Sequence, residues 1–102
     1  MNALVEQKLP DLERACRRRH VRRMEIFGSA AGGTFDSAHS DLDFLVTFED
    51  LAAGEYAEAY FGLLEDLEGL FQRPVDLVAD TAFRNPYFQQ TVDATRTLVY
   101  AG

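Results

Sequence analysis

The chain has 102 residues and a mass of 11.5 kDa, and we predict a single domain spanning residues 1–102. Its 47% hydrophobic and 26% charged residues exclude a disordered or fibrous protein. No apolar run reaches the roughly 20 residues of a membrane-spanning helix, and the first residues lack the apolar segment of a signal peptide. We therefore expect a cytoplasmic protein. Cys16 is the only cysteine, which excludes an intrachain disulfide.

The net charge of -7 is unevenly distributed along the chain. Residues 1–23 carry seven basic and three acidic side chains, whereas residues 24–102 carry three basic and fourteen acidic ones. Strong binding to nucleic acid or to an anionic membrane requires a broad basic face. The charge therefore argues against both and favours a metal ion or a basic partner for the acidic part.

The first half of the chain predicts a helix, a strand, a loop and a second strand. Apolar residues at helical spacing predict a helix within Leu4–Arg19, with Pro10 in its first turn. A short strand follows at Arg22–Phe27. The small and polar residues of Gly28–Ser40 predict a loop, and Asp41–Phe48 is the clearest strand.

The second half predicts a long helix and shorter elements. The helix spans Glu55–Phe71, and its apolar positions, which we expect to face the core, are Ala57, Tyr60, Phe61, Leu64, Leu67 and Phe71. Val75–Ala79 predicts a strand, Tyr87–Asp93 a brief helix, and Thr97–Tyr100 a final strand.

Two aspartates lie in the strand DLDFLVTF. Side chains alternate between the faces of a strand, so Asp41 and Asp43 share one face while Leu42, Phe44 and Val46 face a core. Carboxylates this close repel one another unless a cation lies between them, and magnesium is commonly held by one or two carboxylates together with substrate phosphates. The pair predicts a magnesium site. The alternative is an amphipathic edge strand whose acids face water.

A glycine and a serine follow the preceding strand. Gly28 lets the backbone approach a ligand closely, and a turn of small residues presents amide N–H groups and the Ser29 hydroxyl to an anion. The alternative is that Gly28 ends the strand and Ser29 caps the next turn. The short loop that joins this pair to the aspartates favours a phosphate site beside the carboxylates.

A third acid, Asp76, interrupts the apolar strand PVDLV. An unpaired buried carboxylate is costly, so its presence needs a reason. One explanation is an exposed edge of the sheet. The other is that Asp76 lies beside Asp41 and Asp43 on a neighbouring strand and completes a carboxylate triad around two metal ions.

The chain resembles the minimal nucleotidyltransferases of the DNA polymerase β superfamily. The resemblance rests on three segments, which are Gly28-Ser29, Ser40-Asp41-Leu42-Asp43 and Val75-Asp76-Leu77-Val78. Eleven residues separate Ser29 from Asp41. It implies an α/β fold, with a small mixed sheet, helices packed on one face and the carboxylate site open on the other.

The resemblance also implies the role of each site residue. Gly28 and Ser29 would hold the triphosphate of ATP. Asp41 and Asp43 would ligate two Mg²⁺ ions, and Asp76 would bind metal or assist the attacking hydroxyl. All three aspartates are thereby candidate catalytic residues.

The sequence departs from the family pattern in two ways. Many members carry an arginine soon after the Gly-Ser pair, whereas Ala30–Gly33 contains no cation. The spacing from Gly-Ser to the aspartates is also one residue longer than the commonest form. A compensating cation would have to come from elsewhere, and the candidates are Arg17–Arg23 and Arg73.

Minimal members of this family resemble antitoxins that are paired with a HEPN ribonuclease toxin. The resemblance implies transfer of AMP from ATP to a tyrosine of that toxin, within a hetero-oligomer. Larger relatives carry a helical domain for the acceptor, and we expect another chain to supply that surface here. The acidic residues 49–68 would suit a basic toxin, although such a run is also typical of a solvated helix face.

Two other readings stay open. In the first, the catalytic site has decayed and the protein neutralises a toxin by binding alone. In the second, the transferase acts on another protein or on RNA. A requirement for nucleotide and metal distinguishes the enzyme from the binding antidote.

Overall fold

The computed structural model describes residues 3–28, 42–79 and 96–102. Within these ranges the chain forms three helices and four strands. In chain order they are α1 (Ala3–Gln7), α2 (Leu9–Arg18), β1 (Val21–Phe27), β2 (Leu42–Phe48), α3 (Ala53–Phe71), β3 (Val75–Ala79) and β4 (Thr97–Ala101). None of the described helices has the length and apolar character needed to cross a membrane.

The four strands form one mixed sheet in the order β3-β2-β1-β4. β1 pairs antiparallel with β2 and with β4, whereas β2 and β3 are parallel and joined through α3. This confirms the predicted α/β class with a small mixed sheet. β2 is an interior strand, so the alternative that Asp41–Phe48 forms a sheet edge is wrong.

The main core lies between the helices and one face of the sheet. Leu42, Phe44 and Val46 of β2 are buried there, as their alternation predicted, and the Phe44 ring stacks on that of Phe71 with centroids 5.8 Å apart. The opposite face carries a small second cluster in which Phe27 and Leu45 are buried against Val78. The described helices therefore cover one face, as the resemblance implied.

Most predicted boundaries agree with the structure within one to three residues. The first predicted helix is divided, because α1 ends before Lys8 and α2 carries Pro10 near its start. The structure shows β1, α3, β3 and β4 where the sequence predicted them. The loop beyond Gly28 and the helix predicted at Tyr87–Asp93 lie outside the described residues.

The side of α3 that faces the core overlaps the predicted one, since Leu67 and Phe71 are buried as expected. The buried residues are Ala59, Leu63, Leu67 and Phe71, which recur every four positions. Phe61 was predicted to be buried, but 66% of its surface is exposed. Each residue turns the helix by about 100°, so Phe61, two positions from both Ala59 and Leu63, points away from that stripe.

Two side chains of α3 cover the outer edge of β3. The Tyr60 hydroxyl donates a hydrogen bond to the carbonyl of Leu77 at 2.5 Å, and the backbone N–H of Val75 donates one to the Glu68 carboxylate at 3.2 Å. Burial, followed by the charge of Asp76, raises the pKa of Tyr60 and keeps its hydroxyl protonated as a donor. These hydrogen bonds satisfy backbone groups of the edge strand β3 that could otherwise pair with a strand of another molecule.

An ion pair ties α2 to α3. Asp66 of α3 accepts hydrogen bonds from Arg19 Nε at 2.8 Å and from Arg18 Nη2 at 3.1 Å. Gly62 makes room for this contact, because a Cβ at Gly62 would lie 2.6 Å from Arg19 Cζ. At Gly69 of the same helix, an added Cβ would have no neighbouring atom within 4 Å.

Gly62 and Gly69 of α3 provide a matched pair of substitutions. Alanine is favoured over glycine in a helix by about 0.5–1 kcal/mol, so we expect Gly69→Ala to raise the free energy of unfolding by that amount. Gly62→Ala should show no gain or a loss, because the new methyl group displaces Arg19 from Asp66. Urea denaturation of both variants measures the difference, and an equal gain in both would contradict the role assigned to Gly62.

Candidate functional site

Three of the predicted site residues meet at one end of the sheet. In the register of the strands, Asp43 of β2 lies opposite Phe27 of β1 on one side and opposite Asp76 of β3 on the other. Gly28 directly follows Phe27. Paired positions on adjacent strands lie about 4.8 Å apart and share a face. The structure therefore brings Gly28, Asp43 and Asp76 together.

The two carboxylates differ in exposure. Asp43, in the interior strand, is half-buried, whereas Asp76, in the edge strand, is exposed. Asp76 thus lies on an edge strand, as the first explanation for it predicted, and also beside Asp43. The carboxylate triad around two metal ions stays a prediction. Side chains alternate along β2, and Leu42 and Phe44 are buried in the main core, so Asp43 lies on the sheet face opposite the helices. The Asp43 and Asp76 carboxylates therefore face away from the main core.

Gly28 is shaped to fit against Asp43. Its backbone has a φ of +69°, in the left-handed region that favours glycine. A Cβ at Gly28 would lie 2.5 Å from Asp43 Oδ2, well inside van der Waals contact. The Asp43 carboxylate therefore occupies the space that a side chain at position 28 would need. The backbone that follows β1 lies directly against Asp43 of β2.

The described donors fit a hard divalent cation. Asp43 and Asp76 offer carboxylate oxygens from neighbouring positions, the ligand type that Mg²⁺ prefers. Within residues 3–28, 42–79 and 96–102 no group of three metal-ligating side chains comes together. Ser29 and Asp41, the other two predicted site residues, lie outside the described residues.

Arg17, Arg18 and Arg19 lie at the far end of β1 from this site. α2 ends at Arg18 and β1 begins at Val21, whereas Gly28 follows the far end of β1, about 20 Å away at 3.3 Å per residue. Replacement of the missing loop arginine by a member of Arg17–Arg23 therefore stays a prediction, and Arg18 and Arg19 are already engaged by Asp66. Arg73 precedes β3 and lies at the same end as Asp43.

The sequence analysis missed an ion pair near the site. Glu25 of β1, only 4% exposed, accepts hydrogen bonds from Arg96 Nε at 2.6 Å and Arg96 Nη2 at 2.7 Å, and one from Arg23 Nε at 3.0 Å. Glu25 shares a strand face with Phe27, next to the carboxylates. An acid within the apolar run Met24–Phe27 was a visible signal, but its partner lies 71 residues away and no local pattern indicates it.

Comparison with known proteins supports the resemblance. The Nucleotidyltransferase domain family matches residues 9–98, which confirms the predicted family. A comparison with curated protein sequences gave no match.

Solved structures share the fold. A protein assigned provisionally as a minimal nucleotidyltransferase is 27% identical, with a TM-score of 0.68 and 95% of each chain covered. A chain of a toxin–antitoxin complex with AMP-PNP is 21% identical, with a TM-score of 0.67, and the match covers 92% of this chain and 73% of that one. A chain of a Shewanella oneidensis complex, described as a tri-AMPylated HEPN toxin with its MNT antitoxin, is 18% identical; its TM-score is 0.64 and the coverages are 95% and 72%.

The contact between Gly28 and Asp43 can be tested by a double-mutant cycle. We expect Gly28→Ala to lower the free energy of unfolding by about 2–4 kcal/mol, because it combines a positive φ with a steric clash. In an Asp43→Ala background the clash is removed, and only the backbone cost of about 1–2 kcal/mol should remain. Equal costs in the two backgrounds, measured by denaturant unfolding, would show that the carboxylate does not occupy this space.

Glu25 should contribute to stability at neutral pH and lose that contribution in acid. Hydrogen bonding to Arg96 lowers the pKa of Glu25 below its usual 4.5 despite burial. A lowered folded-state pKa stabilises the fold above the unfolded-state pKa, and this stabilisation disappears as the pH falls through the folded-state pKa. We expect Glu25→Gln to cost about 1–3 kcal/mol at pH 7 and to flatten the loss of stability below about pH 4.5.

Thermal unfolding of wild type and Glu25→Gln between pH 3 and 7 measures this effect. Glu13→Gln is the control, because Glu13 forms an exposed pair with Arg17 at 3.4 Å and should change stability by less than about 0.5 kcal/mol. Parallel pH profiles for wild type and Glu25→Gln would contradict the assignment.

Proposed function

Because the chain belongs to the Nucleotidyltransferase domain family, we propose that it is a Mg²⁺-dependent protein adenylyltransferase. It transfers AMP from ATP to a tyrosine hydroxyl of a HEPN-type toxin and thereby acts as the antitoxin in the cytoplasm. The observation that carries the proposal is the register that places Gly28, Asp43 and Asp76 side by side.

The structural neighbours support both the nucleotide and the partner. One is a chain of a toxin–antitoxin complex with AMP-PNP, an ATP analogue. Another belongs to a complex whose HEPN toxin carries three AMP groups beside an MNT antitoxin. A minimal nucleotidyltransferase fold within such complexes is the arrangement that the present chain would adopt with its own toxin.

The proposed residue roles follow from charge and position. In this proposal the backbone amides of Gly28 and Ser29 bind triphosphate oxygens, and the close approach of Gly28 to Asp43 supports a phosphate site beside the carboxylate. Asp41 and Asp43 hold the divalent cations, with Asp76 as a further ligand. Bound Mg²⁺ would neutralise the charge that develops on the phosphates.

The transfer itself is an in-line displacement. The tyrosine oxygen forms a bond to the α-phosphorus of ATP, the bond from that phosphorus to the bridging oxygen breaks, and pyrophosphate leaves with the electron pair. In this scheme Asp76, which is exposed at the edge of the sheet, accepts the hydroxyl proton. Most of the rate gain in this scheme comes from positioning and electrostatic stabilisation.

One observation favours a second candidate, an antidote that binds without catalysis. Ala30–Gly33 lacks the family's arginine, and Arg18 and Arg19 are bound to Asp66 at the far end of β1. Weak phosphate binding would follow if no other cation serves the site. The three aspartates and the Gly28-Ser29 pair favour the enzyme.

The first experiment is the intact mass of the HEPN protein from the neighbouring gene after co-expression with this chain. We expect one or more AMP additions with wild type and none with Asp41→Asn/Asp43→Asn, because the cation ligands are removed. Asp50→Asn, an exposed acid outside the site, is the matched control and should leave AMP addition unchanged.

The variants must also be folded for the result to count. Removing one of two adjacent carboxylates relieves repulsion, so Asp43→Asn should melt at or above the wild-type temperature without metal. An unmodified partner that still co-purifies with wild type and with the double variant would establish the binding antidote. AMP on another protein or on RNA would identify a different acceptor.

A further inference from the structure

Arg96 lies at the end of the sheet that carries the candidate site. Thr97 of β4 pairs with Ile26 of β1. Arg96, one position earlier, therefore lies at the level of Phe27, which pairs with Asp43 on its other side. The backbone of Arg96 is thus two strand spacings, about 10 Å, from that of Asp43.

Glu25 holds the Arg96 side chain on the face that carries the carboxylates. Glu25 lies two positions before Phe27, and its β2 partner Leu45 belongs to the cluster on the face opposite the helices. Arg96 Nε and Nη2 donate hydrogen bonds to the two carboxylate oxygens of Glu25, at 2.6 and 2.7 Å. The guanidinium therefore lies on the same sheet face as Asp43.

This contact orients the guanidinium before any ligand binds. A guanidinium is planar, and two hydrogen bonds to one carboxylate fix its plane as well as its position. Glu25 is itself only 4% exposed, so its surroundings restrict its own motion. An arginine held in this way loses little conformational entropy when it binds an anion.

Stability alone does not require an ion pair at this position. The partners of Glu25 on the two neighbouring strands are Leu45 and Leu98, so an apolar residue would continue their row. Replacing a buried ion pair by packed apolar side chains is often neutral or stabilising. The carboxylate is therefore better explained by its effect on Arg96.

The charge of this group suits a phosphate. Arg23 Nε also donates a hydrogen bond to Glu25, at 3.0 Å, so two arginines surround one glutamate and the group is positive overall. Asp43 and Asp76 by themselves would repel a triphosphate, and a cation on the same face offsets that repulsion.

We propose that Arg96 binds the triphosphate of ATP in place of the loop arginine that many family members carry, and that Glu25 is the positioning residue that orients it. The inference rests on the proposed function and adds the cation that Ala30–Gly33 lacks. Arginine suits this role because it binds phosphate through planar, charge-assisted hydrogen bonds. The residue that precedes β4 thus supplies the charge that the loop after β1 does not.

The first test measures the Kd for ATP by isothermal titration calorimetry in the presence of Mg²⁺. We expect Arg96→Gln to raise this Kd about 10- to 100-fold, because a charge-assisted contact with phosphate is lost. Arg14→Gln makes the same change of net charge at a surface pair with Asp11 and should leave the Kd within about twofold. Equal weakening in both variants would overturn the proposal, because net charge would then control binding.

The second test separates a phosphate contact from a purely structural ion pair. Arg96→Gln alone leaves the buried Glu25 without its bidentate partner, which can unfold the chain. Glu25→Gln/Arg96→Gln keeps the net charge of the wild type and leaves two amides that can hydrogen-bond to each other. Circular dichroism and melting temperature check that it folds. We expect its Kd for ATP to rise as in Arg96→Gln, and wild-type affinity in the folded double variant would overturn the proposal.

Glu25→Gln alone tests the positioning role. It removes a negative charge, so by charge alone ATP would bind more tightly. If Glu25 orients Arg96, the lost orientation outweighs that gain, and we expect the Kd to rise about 3- to 10-fold. Glu13→Gln, the same charge change at a surface pair with Arg17, should have no effect. Tighter binding by Glu25→Gln would overturn the positioning role.

The AMP content of the co-expressed HEPN protein distinguishes failure of this inference from failure of the proposed function. ATP binding that depends on Arg96, without AMP addition by the wild type, would overturn the transfer reaction and support the phosphate contact. Wild-type rates of AMP addition by Arg96→Gln, at ATP concentrations below the wild-type Kd, would overturn the phosphate contact and leave the enzyme intact. Absence of ATP binding by the wild type would overturn both.

Discussion

The pairing of β2 with both of its neighbours is the constraint on which the rest of the structure depends. Asp43 stands opposite Phe27 on one side and Asp76 on the other. A slip of one residue would exchange the faces of the strand, so that Asp43 would enter the core and Leu42 or Phe44 would be exposed. The buried side chains of β2 therefore fix the position of its carboxylate.

The helix that crosses between β2 and β3 serves two surfaces at once. Its inner stripe packs on the sheet through Leu63 and Leu67, and its flank covers the edge of β3 through Tyr60 and Glu68. The outer stripe remains for other contacts. Because an α-helix has 3.6 residues per turn, residues of one helix point in different directions. One helix can therefore pack on the sheet, cover its edge and face solvent.

Much of this architecture could be predicted from local patterns. Alternation identified β2 and its core face, and Gly28 and Asp76 were recognised because a glycine after a strand and an acid inside one are unusual. The orientation of α3 was predicted in part, since Leu67 and Phe71 are buried as expected. Phe61 was misassigned because it is apolar and adjoins Tyr60 and Leu64, which do pack against the core. The Glu25–Arg96 pair was invisible, because it joins residues 71 positions apart.

The place of β4 in the sheet has a consequence for synthesis of the protein. Val99 of β4 belongs to the main core, and β4 pairs with β1, which is made some seventy-five residues earlier. Until residues 96–101 leave the ribosome, the free side of β1 has no partner strand and Glu25 lacks Arg96. The sheet is therefore completed only once β4 has been made, and until then the unpaired edge of β1 is open to pairing with strands of other chains.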